Sequence, residues 1–228
     1  MTNERNFVIG DIHSHYKEMM ELLETVKFDF DSDTLISLGD LVDRGPNPIE
    51  VIETLMKIKK FTHVLGNHDE WCYQYLLNDN LSKEWLSQGG QSTLNAYNVN
   101  PEYKIDHRLF FEKAKLYFID HKNRLFVHGG FNHRIPFELQ LDNKELLIWD
   151  RSLVLTAMEY EQYNQTFTEF MEIFVGHTPT QFIKEDIPQK FSNLWMLDTG
   201  VYISGKLTIM NIETKEFWQS KSRKNEFL

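Results

Sequence analysis

Five short polar clusters in this sequence could do chemistry together, because each follows a run of apolar residues. They are Gly10-Asp11-Ile12-His13, Gly39-Asp40-Leu41-Val42-Asp43-Arg44-Gly45, Gly66-Asn67-His68-Asp69, His128-Gly129-Gly130 and Gly176-His177-Thr178. Asp11, His13, Asp40, Asn67, His128 and His177 offer carboxylate, carboxamide and imidazole donors without a thiolate. That donor set suits divalent ions such as Mn²⁺, Fe²⁺ or Zn²⁺. A pair of neighbouring cations needs a shared ligand, and a carboxylate with its two oxygens can serve. The glycines let the backbone turn sharply and come close to a bound ion. Each cluster alone has a plain explanation: an Asp-x-His on a surface loop, a His-Gly-Gly turn, a helix N-cap at Gly-Asn-His-Asp. All five in order, each at the end of an apolar strand, fit a metal site better.

The elements that must position these clusters alternate. Phe7-Val8-Ile9 reads as a buried strand, and Tyr16, Met19, Met20, Leu23 and Val26 follow at helical spacing. Thr34 to Leu38 reads as the next strand, and Pro46 and Pro48 precede a helix marked by Ile52, Leu55, Met56 and Lys59. His63-Val64-Leu65 reads as a third strand. Strand-loop-helix repeats imply parallel pairing with right-handed crossovers, and ligands of such sheets bind beyond the carboxyl ends of the strands. The stretch from Glu70 to about Lys115 looks helical and irregular. Further strands are expected at Leu116 to Ile119, Arg124 to Val127, Ile173 to Val175, Leu194 to Leu197, Lys206 to Ile209 and Glu216 to Gln219. The last ones look like hairpins, with turns at Ser204-Gly205 and Glu213-Thr214-Lys215. The class expected is an α/β sandwich of two mixed β-sheets flanked by α-helices, in one domain spanning residues 1–228.

Bulk properties narrow the partners. The 228 residues carry 41% hydrophobic and 25% charged side chains, with 17 Phe, 9 Tyr and 5 Trp, so the chain can build a substantial core. A formal net charge of -10 repels nucleic-acid phosphates, and no nucleic-acid partner is expected. Bound divalent cations would offset part of that charge. The single cysteine, Cys72, cannot form an internal disulfide, and no long apolar segment resembles a signal peptide or membrane span. A cytoplasmic protein with no membrane partner is the default expectation. Oligomeric state cannot be read from the sequence.

The ordered clusters resemble the calcineurin-like metallophosphoesterase superfamily. The form Gly39 to Gly45, Gly-Asp-x-Val-Asp-Arg-Gly, is similar to its phosphoprotein phosphatase branch, and the whole to the compact bacterial and phage serine/threonine phosphatases. The resemblance implies that Asp11, His13 and Asp40 hold one metal, and Asp40, Asn67, His128 and His177 the other, with Asp40 bridging. It implies that His68 is the general acid, that Asp43 pairs with it, and that Arg44 binds phosphate. Arg151 is similar in placement to a second phosphate-binding arginine, against the plain reading of a surface arginine paired with Asp150; Arg134 competes less well. The absence of a second histidine in Gly176-His177-Thr178-Pro179 favours the phosphatase branch over the nuclease and phosphodiesterase branches. Ser14 departs from the glycine that often follows the first histidine.

These roles agree with elementary chemistry. Water held between two cations is acidified enough to attack phosphorus near neutral pH, in line with the leaving oxygen. Arg44 would neutralise charge on the equatorial oxygens, and His68, kept protonated by Asp43, would protonate the leaving alkoxide. No covalent phosphoenzyme is expected. The activity expected is hydrolysis of phosphomonoesters, phosphoserine and phosphothreonine first. The alternatives are a symmetrical dinucleoside tetraphosphate hydrolase and a metal-binding scaffold without turnover. Manganese is the expected metal, with iron or zinc also accepted. Gly89-Gly90-Gln91 after Trp85 resembles a family segment, though a helix break also explains it. His15, His63, His107, His121, His133 and Cys72 read as surface or packing residues, and Asp69 and Glu70 as the opening of a helix. The substrate rim is expected from Glu70 to His107 and from Phe131 to Asn164.

Overall fold

Alternating apolar residues build both sheets of the sandwich. The computed structural model describes residues 4–221. The chain runs β1 (Asn6–Ile9), α1 (Tyr16–Thr25), β2 (Thr34–Ser37), α2 (Pro48–Leu55), β3 (Lys60–His63), α3 (Asn67–Asn78) and α4 (Lys83–Trp85). It continues through a kinked segment (Leu86–Gly90) broken at Gly89, α5 (Gln91–Val99), α6 (Lys104–Glu112), β4 (Tyr117–Ile119), β5 (Arg124–Val127), α7 (Lys144–Trp149), α8 (Ser152–Gln162) and β6 (Glu172–Val175). The last elements are β7 (Gln189–Phe191), β8 (Leu194–Met196), α9 (Val201–Ser204), β9 (Thr208–Asn211) and β10 (Phe217–Gln219). The first sheet has the order β10-β9-β1-β2-β3 and the second β4-β5-β6-β8-β7. β1, β2 and β3 pair in parallel, as do β5, β6 and β8, while the outer strands β10, β9, β4 and β7 join antiparallel.

The period of two assigns each face. Val8, Ile36 and Met210 of the first sheet meet Phe126 and Phe174 of the second, whose rings stack at 4.9 Å. Phe7, Ile9 and Leu35 point the other way, into a core shared with Met19, Leu22 and Leu23 of α1 and with Ile52 and Leu55 of α2. Leu125, Val127, Ile173 and Val175 do the same toward Leu153, Val154 and Ala157 of α8. Each such buried side chain contributes roughly 1.5–3 kcal/mol. With both faces of each sheet covered by apolar residues, polar groups collect at the carboxyl ends of β1, β2, β3, β5, β6 and β8.

Some expected boundaries move. The third strand starts at Lys60, three residues before the apolar run His63-Val64-Leu65 that suggested it. It is an edge strand, so polar Lys60 and Thr62 are tolerated beside β2. Ser204-Gly205 is not a hairpin turn. β8 and β9 lie in different sheets, and the chain crosses between them through α9, which ends at Gly205 with φ +77°. The hairpin β9–β10 forms as expected, its turn at residues 212–214 lying one residue before the expected 213–215.

Candidate active site

Loops at the strand ends are tied to one another before any side chain is considered. The N–H groups of Ile12 and His13 donate to the carbonyl of Asp40 at 3.1 and 2.9 Å, and Gly176 N–H donates to the His128 carbonyl at 3.0 Å. His13, Ser14, Asp40, Asp43, Arg44 and His177 are six of the twelve non-glycine residues with positive φ among the described residues. Each such residue costs about 1–2 kcal/mol in the left-handed region, so the surrounding bonds must hold them there.

Asp40 lies at the centre. Its Oδ2 is 3.7 Å from His13 Nε2 and its Oδ1 is 3.4 Å from His128 Nε2, so its two oxygens face two different imidazoles. Side-chain ligand atoms of His13, Asp40 and His68 lie within 4.8 Å of one another, as do those of Asp40, His128 and His177. All five residues are buried. Two donor groups sharing one carboxylate fit a pair of divalent ions. The ring orientations are fixed from behind: His13 Nδ1 donates to the Val42 carbonyl, His128 Nδ1 to the Leu38 carbonyl at 2.6 Å, and His177 Nε2 to the Trp149 carbonyl at 3.2 Å. The expected ligands Asn67 and Asp11 adjoin this centre. Asn67 Oδ1 is 3.1 Å from His128 Nε2, and the Asp11 carboxylate accepts the His177 N–H at 3.1 Å. His68, expected as the acid, stands where Asp11 was expected in the first donor group.

Charge is concentrated here. Burial would lower the His128 pKa, but the Asp40 carboxylate, helped by Asp11, raises it to about 9. Burial, with the positive charges of His128 and Arg151, lowers His177 to about 2. Burial pushes Asp11 well above the usual carboxylate range, and the neighbouring Asp198 adds to the effect. Burial also resists ionisation of Asp40, yet His128, His68 and His13 hold its carboxyl well below that range. Asp198 was not anticipated. It is buried at the end of β8, and burial raises it to about 6 against the Gly200 N–H that it accepts. Its signal was the same as for the other clusters, an apolar run followed by Asp and Gly, but no histidine accompanies it.

His68 is held from both sides. Nδ1 donates to Asp43 Oδ2 at 2.6 Å, and Nε2 accepts from Arg44 Nη2 at 2.9 Å. The buried Asp43 carboxylate also accepts from Trp85 Nε1 at 2.7 Å and Thr93 Oγ1 at 2.6 Å. The glycines after Trp85 therefore do more than break a helix. A Cβ on Gly90 would lie 2.4 Å from Trp85 Nε1, and one on Gly89, at φ +106°, would lie 2.7 Å from Arg44 Cγ. Arg44 N–H donates to the Gly89 carbonyl at 3.0 Å. Its Nη1 donates to His13 Nε2 at 2.6 Å.

A cavity of about 420 Å³ opens over these groups. Asp40, Asn67, His68 and His177 line its polar end, and Arg44 and Arg151 border it. Trp149, Val154, Leu155, Phe182 and Ile183 form an apolar wall. Arg151 does not pair with Asp150. Its Nη1 donates to the His177 carbonyl at 2.7 Å and to Thr178 Oγ1 at 3.2 Å, while Asp150 accepts from the N–H of Leu153 at the start of α8. Arg134 lines a different cavity with Phe131 and His133. Part of the wall, Thr178 to Ile183 and Tyr202, falls outside the segments expected to form the rim. His63 and His107 are buried packing residues with polar partners, Asp69 at 2.9 Å and Tyr97 at 2.8 Å. Asp69 opens α3 as expected, accepting the Gly66 N–H, and also holds the Leu41 N–H at 2.8 Å.

The sequence profile of the calcineurin-like phosphoesterases matches residues 5–181. This chain belongs to that family. It is 31% identical over 182 residues to a symmetrical bis(5'-nucleosyl)-tetraphosphatase of Coxiella burnetii, covering 79% of this chain and 56% of that one. The chain spans about half the length of the tetraphosphatases it matches. It is 26% identical over 215 residues to serine/threonine-protein phosphatase 1 of Salmonella typhimurium, covering 91% of both. A crystal structure assigned to a diadenosine tetraphosphatase superposes with a TM-score of 0.66 at 20% identity, over 96% of this chain and 93% of that one, and supports the fold. Among the described residues, no helix is long and apolar enough to cross a membrane.

Proposed function

We propose that this metallophosphoesterase is a phosphomonoesterase acting on phosphoserine and phosphothreonine. The observation that carries the reading is the His68 imidazole, with Nδ1 bound to Asp43 and Nε2 directed at Arg44 beside the cavity. The correspondence with a bacterial serine/threonine phosphatase over 91% of both chains supports it.

His13, Asp40, His128 and His177, with Asp11 and Asn67 adjoining, would hold two divalent ions, manganese first. When bound, the ions supply Lewis acidity and acidify water at the reacting phosphorus. The remaining work belongs to the chain. Arg44 and Arg151 bind the phosphoryl oxygens from the cavity border and spread their negative charge. His13 Nε2, which accepts from Arg44 Nη1 in this structure, is the ring atom that would meet an ion. Protonation of His68 at Nε2 replaces the bond accepted there from Arg44 Nη2, the Asp43 carboxylate at Nδ1 faces the imidazolium so formed, and His68 then delivers the Nε2 proton to the departing alkoxide oxygen. Trp85 and Thr93 keep the Asp43 carboxylate aligned with Nδ1.

A second reading, symmetrical cleavage of dinucleoside tetraphosphates, draws on the apolar wall from Trp149 to Phe182, a surface suited to a nucleobase. Similarity to tetraphosphatases over 79% of this chain also supports it. Product analysis separates the two. Incubated with Mn²⁺, the protein should release inorganic phosphate from phosphoserine peptides. Nucleoside diphosphates from diadenosine tetraphosphate, with no phosphate from peptides, would replace the first reading with the second.

A further inference from the structure

Tyr202 enters the site from a direction that none of the five sequence clusters marks. It sits on α9, a single turn held between Gly200 at φ +66° and Gly205 at φ +77°. Thr199 Oγ1 donates to the Lys206 carbonyl at 2.8 Å, and Ser204 Oγ to the Thr199 carbonyl at 3.1 Å, so this turn is closed on itself. The Tyr202 ring faces two residues of the reaction centre. Arg44 Cζ lies 3.9 Å from the ring centroid, and the His13 ring meets it edge-on at 5.2 Å. Tyr202 is 37% exposed and lines the reaction cavity.

An arginine with its backbone in the left-handed region, at φ +66°, has a long side chain to hold still. The bonds to His13, His68 and the Gln88 carbonyl restrain the edge of its guanidinium plane. None of them restrains motion perpendicular to that plane. The electron-rich face of an aromatic ring does, and it does so without using any of the N–H donors that a phosphate needs.

We infer that Tyr202 is a positioning residue for the phosphoester, acting as the plate on which the Arg44 guanidinium lies so that it stays at the border of the cavity. The inference rests on the reading of Arg44 as a phosphate-binding residue. The contact is made by the ring face, so the phenol oxygen is dispensable and the aromatic ring is not. Leucine fills comparable space without the quadrupole.

The test is direct binding of inorganic phosphate to the Mn²⁺-loaded protein by calorimetry, for the wild type and for Y202F, Y202L and R44A, with metal content measured on each. Tyr202 is partly exposed, so its replacements should leave the core and metal content intact. The expected result is that Y202F binds within about twofold of the wild type, Y202L about fivefold more weakly, and R44A more weakly still. If R44A is weakened while Y202L binds like the wild type, the inference falls and the Arg44 reading stands. If Y202F is weakened as much as Y202L, the hydroxyl rather than the ring is responsible and the inference also falls. If R44A binds phosphate as the wild type does, the reading of Arg44 fails and takes the inference with it.

Discussion

His68 donates from Nδ1 to the Oδ2 of Asp43 at 2.6 Å, and neither side chain reaches bulk water. This geometry fixes the tautomer, leaving Nε2 as the atom that faces the cavity. A proton transferred from Nε2 helps most where the leaving oxygen is most basic. His68→Asn should therefore lower kcat by about 10²–10⁴ on phosphoserine peptides and less on para-nitrophenyl phosphate. Steady-state kinetics on both substrates checks this. Equal losses would count against His68 as the acid.

Asp43 accepts three side-chain hydrogen bonds in a fully buried setting, from His68, Trp85 and Thr93. Removing one donor leaves a buried carboxylate short of a partner, at a cost of about 1–3 kcal/mol. Thr93→Val, which keeps the volume, should lower Tm by about 2–4 °C for each kcal/mol lost and reduce kcat as His68 loses its alignment. Thermal unfolding and kinetics on the same sample test it. Thr93 Oγ1 also accepts the Asp43 N–H at 3.0 Å, so an unchanged Tm would show that neither bond to Asp43 contributes.

Much of this was legible in the chain. The clusters after β1, β2, β5 and β6 follow apolar runs whose period of two assigns the buried faces; parallel pairing gathers them at the carboxyl ends of each sheet, and packing through Val8, Ile36, Phe126 and Phe174 brings the two sheets together. The support of Asp43 was not legible. Trp85 and Thr93 come 42 and 50 residues after Asp43, and the kink at Gly89 (φ +106°) that turns the chain between them does not reveal what it brings together. The third strand was read late because Lys60 and Thr62, on an edge, do not look like a buried strand. Tyr202 was hidden because a hairpin was expected where the chain changes sheets, and Arg151 was half-hidden because Asp150 beside it offered an easy partner.

His128 should couple metal binding to pH. Stripped of metal by chelation, the protein holds a proton on His128 up to about pH 9, because Asp40 stabilises the imidazolium. A ligating imidazole must be neutral, so the proton leaves when the metal binds. Apparent metal affinity should rise with pH and level off above about 9. Calorimetry in buffers of different ionisation enthalpy should find net proton release at about pH 7.5. No release would contradict the assignment of His128 as a ligand.

Far from the site, Arg124 and Lys122 hydrogen-bond Glu213 and hold its carboxyl down to about 2 from an ordinary 4.5. The folded pKa is depressed, so the stabilisation is complete above the unfolded value and is lost as pH falls toward 2. The Glu213 side chain is 36% exposed and screened by solvent, which limits the effect to about 1 kcal/mol or less. Glu213→Gln should thus be less stable than the wild type at neutral pH, with the gap closing between about pH 4.5 and 2. Denaturant titrations across that range measure it, and a gap that stays constant with pH would remove the ion pair as its cause.

The proposed function puts phosphoester hydrolysis at a metal centre built around Asp40. The most direct measurement is hydrolysis of para-nitrophenyl phosphate by the wild type and Asp40→Asn after chelation, with and without added Mn²⁺. Chelation should abolish wild-type activity, Mn²⁺ should restore it, and Asp40→Asn should stay inactive with metal added. Activity that survives chelation, or an Asp40→Asn protein that turns over like the wild type, would contradict it.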